Sequence, residues 1–253
     1  DLGAEKFLNI KCKKAELKPN AVVVVATIKA LKYHGGALKE EILNPNDKAL
    51  ENGMKNLYKH VFNMKNEFGL NVIVALNKFN SDTEKEIEFV KNKLSEKNIE
   101  MSIVEGWAKG GEGAIDIASK IVKLTEKENN FRYIYNDNDT IKEKIKNVAT
   151  KIYGAKDIIY LEDAKKSIEN IEKIGKANLP ICIAKTQYSL SDDAKKLECT
   201  EPFSITVRDV ALKNGAGFIV VYCGKILTMP GLPKVPSAEK IDLDENGNVV
   251  GIF

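Results

Sequence analysis

The sequence predicts an α/β protein built on a parallel sheet, followed by a smaller α/β unit. Three observations carry that prediction. The β-branched runs Ala21 to Ile28 and Val72 to Leu76 are apolar throughout instead of alternating, as strands buried on both faces are. Between them Leu50, Met54, Leu57, Val61, Met64 and Phe68 recur at spacings of three and four, the stripe of an amphipathic helix. Strand and helix patterns then alternate as far as Glu126, which is the order that right-handed crossovers of a parallel sheet produce.

Taken in order, Asn9 to Lys18 is mixed and reads as an edge strand or a loop, closing in the turn Lys18-Pro19-Asn20. The strand Ala21 to Ile28 empties into Lys29-Ala30-Leu31-Lys32-Tyr33-His34-Gly35-Gly36. Two readings of that stretch stand side by side. Lys32, His34, Gly35 and Gly36 could place positive charge and backbone N–H groups around a phosphate or carboxylate, or the stretch is a flexible polar loop. His60, inside a helical pattern, reads as a surface or packing residue. Asn46 or Asp47 caps the long helix and Gly69 ends it. Ser81 with Glu84 has capping-box spacing ahead of a helix that turns Ile87, Val90 and Leu94 inward. Met101 to Val104 is the next strand. A helix over Glu112 to Glu126 is expected to bury Ile115, Ala118, Ile121 and Val122.

The polar stretches Glu128-Asn129-Asn130 and Asn136-Asp137-Asn138-Asp139 mark the expected boundary between residues 1–130 and 131–253. In the second part, Thr140 opens a helix stopped at Gly154, Asp157 to Tyr160 is a strand, Leu161 to Gly175 a helix and Pro180 to Ala184 a strand. That strand ends at Lys185-Thr186-Gln187-Tyr188-Ser189, which reads as a site or a domain contact in preference to a plain polar turn. Phe203, Ile205 and Val207 alternate with polar residues and lead to Arg208-Asp209; Ile219 to Tyr222 is another apolar run. Met229-Pro230-Gly231-Leu232-Pro233 is too proline-rich for helix, and Asn246-Gly247 signals a hairpin joining Lys240–Leu243 to Asn248–Phe253.

Composition narrows the function. A charge of +3, from 39 basic and 36 acidic residues interleaved along the chain, does not favour a nucleic-acid partner. No apolar stretch approaches the roughly 20 residues that cross a bilayer, and no signal peptide opens the chain, so a cytoplasmic protein is expected. Cys12, Cys182, Cys199 and Cys223 are scattered without a CxxC pair and read as reduced thiols, so no metal site is expected. The opening Asp1-Leu2-Gly3-Ala4-Glu5-Lys6-Phe7 lacks an initiator methionine and reads as the interior of a longer protein.

The strongest site signal lies where two neighbouring strands end. Val72 to Leu76 delivers Asn77, Lys78 and Phe79 to a carboxyl strand end, with Asp82 close by. One βαβ unit later, Met101 to Val104 delivers Trp107, the only tryptophan, followed by Gly110, Gly111 and Gly113. Open α/β sheets bind ligands at that end, and two aromatic rings there could hold a flat heterocycle between them. The chain contains no GxxxxGK[ST], GxSxG, HExxH or GxGxxG motif. Asn77-Lys78 is the start of the base-reading NKxD motif of GTPases, but Asn80 stands where that motif needs Asp, and that reading is rejected.

The stretches Asp1 to Phe7, Ala30-Leu31-Lys32 with His34-Gly35-Gly36, Asn77-Lys78-Phe79 with Asp82-Thr83-Glu84, and Trp107 to Gly113 occur here in that order. Ala184 to Ser189, Gly215-Ala216-Gly217-Phe218 and Met229 to Pro233 follow them. Together they resemble formate–tetrahydrofolate ligase along the whole chain. The resemblance implies a P-loop-NTPase-like large domain, of which this chain would be the C-terminal half, followed by a smaller α/β domain. It implies ligation of formate to tetrahydrofolate through formyl phosphate, with ATP and Mg, activation by potassium or ammonium, and a homotetramer. It further implies that Phe79 and Trp107 stack the pterin, or the adenine of the nucleotide, with Asn77, Lys78 and Asp82 as polar contacts. The phosphate loop would lie outside this chain, so the chain alone is expected to be inactive. The alternative is a non-catalytic assembly or regulatory module on the same fold, whose expected sign, degraded rim residues, is missing from this sequence.

Overall fold

A computed structural model describes residues 3–197, 202–224, 226 and 234–251. The expected rigid stretch Met229 to Pro233, most of Asp1-Leu2-Gly3 and Cys199 lie outside them. The chain is a mixed α/β fold with two principal sheets.

The chain opens as helix, not as strand or loop: α1 runs Gly3–Lys6 and continues as a wider turn through Phe7–Cys12, burying Glu5, Leu8, Asn9 and Cys12. The mixed stretch from Asn9 continues this helix to Cys12, and the buried Glu5, Leu8, Asn9 and Cys12 follow helical spacing. The first sheet has the order β1 (Ala21–Ala26), β2 (Asn71–Asn77), β3 (Met101–Val104), all parallel. The Lys29-to-Gly36 stretch is neither cradle nor flexible loop. Thr27 accepts a hydrogen bond from the Ala30 amide and starts α2 (Ile28–His34), and Gly36, at φ +95°, ends that segment.

Asn46 caps α3 (Asp47–Phe62), which continues through Asn63–Glu67 to Gly69 at φ +71°. Gly35 has a packing role here. A Cβ on Gly35 would stand 1.7 Å from the Ala49 carbonyl oxygen, and one on Gly53 would stand 1.9 Å from that of Leu31. The two missing side chains let α2 and α3 touch backbone to backbone.

The box that starts α4 (Glu84–Ser95) is Thr83 with Glu86, two residues beyond the expected Ser81 with Glu84. The Thr83 hydroxyl accepts from the Glu86 amide while the Glu86 carboxylate accepts from the Thr83 amide and hydroxyl. Glu86 also faces Lys32 at 2.7 Å, with both side chains at most 2% exposed. The same ammonium donates to the Asn44 carbonyl at 2.9 Å.

After β3 come a short α5 (Gly106–Lys109), a 3₁₀ stretch Gly110–Ala114, and α6 (Ile115–Thr125). Helix α6 is rotated from its expected face. Ile117 and Leu124 are buried, with Ile121 against Ile73 and Ala75, whereas Ile115, Ala118 and Val122 are exposed. Asp116 and Lys120 fix this rotation by reaching Ser102 and the Met101 carbonyl of β3.

The second sheet has the order β4 (Asp157–Tyr160), β6 (Ser204–Lys213), β7 (Phe218–Cys223), β5 (Ile181–Ala184), with β6 and β7 antiparallel. Helices α7 (Ile141–Asn147, continued as Val148–Tyr153) and α8 (Glu162–Lys173) pack against it. Its core extends without a break to Leu8 and Cys12 of α1 and to Met64, Phe68 and Leu70. The expected boundary stretch is tied down. The Asn129 side chain donates to the Pro19 and Asn20 carbonyls, and Tyr135 is buried with its hydroxyl accepting from the Ile181 amide. The Asn246-Gly247 turn joins β8 (Asp242–Leu243) to β9 (Val249–Val250), as its sequence predicts. No helix among the described residues is long and apolar enough to cross a membrane.

Two predictions follow from this packing. Gly35→Ala forces α2 and α3 apart and lowers unfolding free energy by roughly 1–3 kcal/mol, the usual overpacking cost, read from the denaturant midpoint. Unchanged stability would mean the helices yield freely. Glu86→Gln leaves the Lys32 ammonium buried without its counter-charge and costs roughly 3–5 kcal/mol, while Lys32→Met with Glu86→Leu recovers most of it. Burial opposes ionisation of Glu86, but Lys32 and Thr83 together outweigh it and hold its pKa below the usual 4.5. The pair's contribution is therefore complete above about pH 4.5 and is lost as the pH falls through the depressed folded value, so wild type and Glu86→Gln should converge in acid.

Candidate functional site

The carboxyl ends of β2 and β3 are adjacent: Asn77 is level with Val104, and the Lys78 amide donates to the Val104 carbonyl at 2.9 Å. Beyond that bond the two chains separate, one into the turn Phe79–Asp82 and the other into the loop Glu105–Gly113. These two segments form the rim that presents the aromatic residues.

The first segment is held by Asp82. Its carboxylate accepts from the Phe79 amide at 2.8 Å and its own amide donates to the Phe79 carbonyl at 3.0 Å, so a nearly buried side chain pins the turn from inside. Asp82 is thus a positioning residue for Phe79. The Phe79 ring is 38% exposed, and the Lys29 ammonium lies over it, 4.7 Å from the centroid. Lys29 sits in the first turn of α2 and was missed as an individual site residue, because reading its segment as a loop gave no face on which to place it. Lys78 donates to Glu84 at 2.7 Å, and that hydrogen bond raises the Lys78 pKa.

The second segment closes on itself. The Glu105 amide donates to the Gly113 carbonyl at 3.0 Å, and a Cβ on Gly113 would stand 2.5 Å from the Glu105 carbonyl oxygen. Gly110 adopts φ +57° and ψ −139°, a conformation open essentially to glycine alone. Gly111 faces open space. Lys109 returns to Glu105 at 2.6 Å, and that hydrogen bond lowers the Glu105 pKa. The loop leaves Trp107 on a four-residue helix and 84% exposed. The two rings are not in contact with each other among the described residues.

The remaining expected site residues lie elsewhere. Lys32 is committed to Glu86 and Asn44, Gly35 to the α2–α3 contact, and Gly36 to the turn after α2. His34 is half-buried on another side of the sheet, beside His60 and Asn56, and burial lowers its pKa. Lys185 is buried too. Its ammonium lies over the Tyr153 ring and donates to the carbonyls of Thr186, Ser189 and Ser191, so the expected site or domain contact is a turn gathered around a cation. Arg208 donates to the Gly224 carbonyl and Asp209 accepts from Ser167, across a β-bulge. Cys12 and Cys223 are buried and Cys182 half-buried, all as free thiols.

What the rim can do chemically follows from these placements. Of the rim carboxylates, Asp82 accepts from the Phe79 amide and Glu105 pairs with Lys109, while Glu112 is exposed to solvent, and the aromatic faces stand beside them. Among the described residues, no three His, Cys, Asp or Glu side chains converge as a metal site would require.

The family model described as formate–tetrahydrofolate ligase matches residues 1–253, all of this sequence. The chain belongs to the formate–tetrahydrofolate ligase family.

Proposed function

We propose that this chain supplies the ring-stacking side of a site at which formate is ligated to tetrahydrofolate, with ATP converting formate to formyl phosphate before N10 of the folate attacks it. The observation that carries this reading is an 84%-exposed tryptophan held by a self-closed glycine loop beside Phe79, at the carboxyl ends of adjacent parallel strands. A large aromatic ring so exposed on an ordered loop is suited to lie against another flat ring, and a pterin is one. In this reading residues 1–130 form the C-terminal half of a P-loop-NTPase-like domain and residues 131–253 the smaller α/β domain. The complete enzyme is a cytoplasmic homotetramer that uses Mg and is activated by potassium or ammonium.

Residue roles follow from position. Phe79 offers the ring face that Lys29 does not cover, Trp107 offers a second stacking surface, and Asp82 sets the direction of Phe79. Asn77 is a neutral donor and acceptor two residues before Phe79 in the chain. Phosphoryl transfer depends on positioning and charge neutralisation of the transferred group. The sequence has no GxxxxGK[ST] phosphate loop, so no step of that transfer is assigned to this chain.

Titration of the Trp107 fluorescence with tetrahydrofolate, and separately with ADP, tests the stacking site. Saturable quenching by the folate is expected, weakened by about 1–3 kcal/mol in Phe79→Ala, the scale of one lost stacked face. Quenching by ADP alone would reassign the pair to adenine, and folate binding indifferent to Phe79 and Trp107 would remove them from the site. Formation of 10-formyltetrahydrofolate from ATP, formate and tetrahydrofolate by this chain alone is expected to be undetectable. A measurable turnover would show that the phosphoryl-transfer groups are here after all.

A further inference from the structure

The three strand ends of the first sheet present side chains in a row. Ala26 of β1 is level with Leu76 of β2, and Leu76 is level with Ile103 of β3. Lys29 stands three residues beyond Ala26 and Phe79 three beyond Leu76, while Trp107 lies four beyond Ile103. Across the rim the order is therefore a cation, a phenyl ring and an indole. Neighbouring strands are about 4.8 Å apart, so Lys29 lies one to two strand spacings, roughly 5–10 Å, from a ring held between the ends of β2 and β3.

The charge on Lys29 is handled differently from its neighbours'. Lys78 and Lys109 have carboxylate partners at 2.7 and 2.6 Å, and Lys32, one turn further along α2, is buried against Glu86. Lys29 is half-buried with its ammonium 4.7 Å from the Phe79 centroid, and among the described residues it has neither a carboxylate partner nor a hydrogen-bond acceptor. The Asp82 carboxylate, which holds the same turn, is engaged with the Phe79 amide. Contact with a ring face repays part of the cost of desolvating an ammonium but supplies no counter-charge.

A neutral ring stacked on Phe79 leaves that ammonium as it is. A reactant that brings an oxyanion to the β1 side of the ring gives it a counter-charge, and in a partly desolvated setting a charge-assisted hydrogen bond is stronger than in open water. Both reactants of the proposed ligation carry such a group. Tetrahydrofolate ends in the carboxylates of its glutamate, and formyl phosphate is itself a phosphate anion. We infer that Lys29 is a specificity-determining residue of the ring site, the cation that receives an oxyanion of a reactant, carboxylate or phosphate, beside the ring that Phe79 and Trp107 stack. The inference rests on the ring-site reading above and adds what stacking lacks. Two aromatic faces accept any flat ring, whereas a cation at one end of the row fixes which way the ligand lies.

A lysine kept only to cover Phe79 is replaceable by another long side chain, and the test exploits that difference. Lys29→Met keeps a flexible chain for the phenyl ring without the charge, and Lys29→Arg keeps both. Circular dichroism confirms that each variant is folded. Trp107 is the only tryptophan, so its quenching, corrected for ligand absorption, reads binding. The probes are 6-methyltetrahydropterin, which has the ring and no anion, and tetrahydrofolate, each at constant ionic strength with and without inorganic phosphate.

In wild type and Lys29→Arg an anion tightens binding by about threefold or more, and in Lys29→Met that gain is lost while pterin affinity stays within about twofold. A gain of tetrahydrofolate over pterin without phosphate assigns the glutamate carboxylate, and a gain of the pterin on adding phosphate assigns the phosphate. Equal weakening of pterin and tetrahydrofolate in Lys29→Met would make Lys29 a support for Phe79 and overturn the inference, leaving the ring site in place. A gain that survives Lys29→Met belongs to other contacts and has the same consequence, as does the absence of any gain in folded wild type. Quenching by none of the probes would remove the ring site itself, and this inference with it.

Discussion

The Lys32–Glu86 ion pair is the constraint around which the carboxyl end of the first sheet is arranged. Lys32 lies on the helix after β1 and Glu86 in the first turn of the helix after β2, so a single buried contact locks two crossover helices together. A buried pair of this kind adds little net stability compared with an apolar pair of the same shape. Its effect is geometric. An unpaired charge in that position is so unfavourable that the helices have one relative placement in which both charges are satisfied.

The rim inherits that placement through short covalent distances. Glu86 also closes the Thr83 box, and Thr83 directly follows Asp82, whose carboxylate pins Phe79. On the other side, Lys29 is one helical turn before Lys32 and reaches over the same phenyl ring. Phe79 is therefore set from both ends by groups anchored on one ion pair. Trp107 is set by different means, through glycine conformations and a loop that bonds to itself, which leaves the ring exposed while fixing the backbone that carries it.

Strand identity was legible because β1 and β2 are continuous apolar runs, although only β2 is covered on both faces, Val23 and Val25 of β1 being exposed. The aromatic rim was legible for the same reason, since a strand's carboxyl end can be placed once its run is known. What escaped were features decided by contacts between elements. Helix α6 has apolar residues on more than one face, and only the reach of Asp116 and Lys120 to β3 selects which face goes down. Gly35 and Gly36 look like a phosphate cradle locally, yet Gly35 answers to Gly53, distant in sequence. Lys32 and Lys185 look like free strand-end cations until their buried partners are known. The shift of the capping box from Ser81 to Thr83 reflects the same pull, because Glu86 is the glutamate that Lys32 can reach.

These placements also bear on selectivity at the rim. Stacking rewards any flat heterocycle, since every such ring has a π-face, so the stacking role proposed for Phe79 and Trp107 carries affinity without distinguishing pterin from adenine. Discrimination requires hydrogen bonds at the ring edge that are left unmade by the wrong ligand. Asp82, which a GTPase-like reading would aim at a base, has turned inward to the Phe79 amide, while Lys78 and Lys109 are held by Glu84 and Glu105. Among Asn77, Lys78 and Asp82, Asn77 is the one whose side chain carries both a donor and an acceptor without a charge. A pterin edge likewise presents donors and acceptors side by side, so in the proposed site the choice of ring falls to Asn77 and the neighbouring backbone, with the ion pairs acting as the frame that holds them in place.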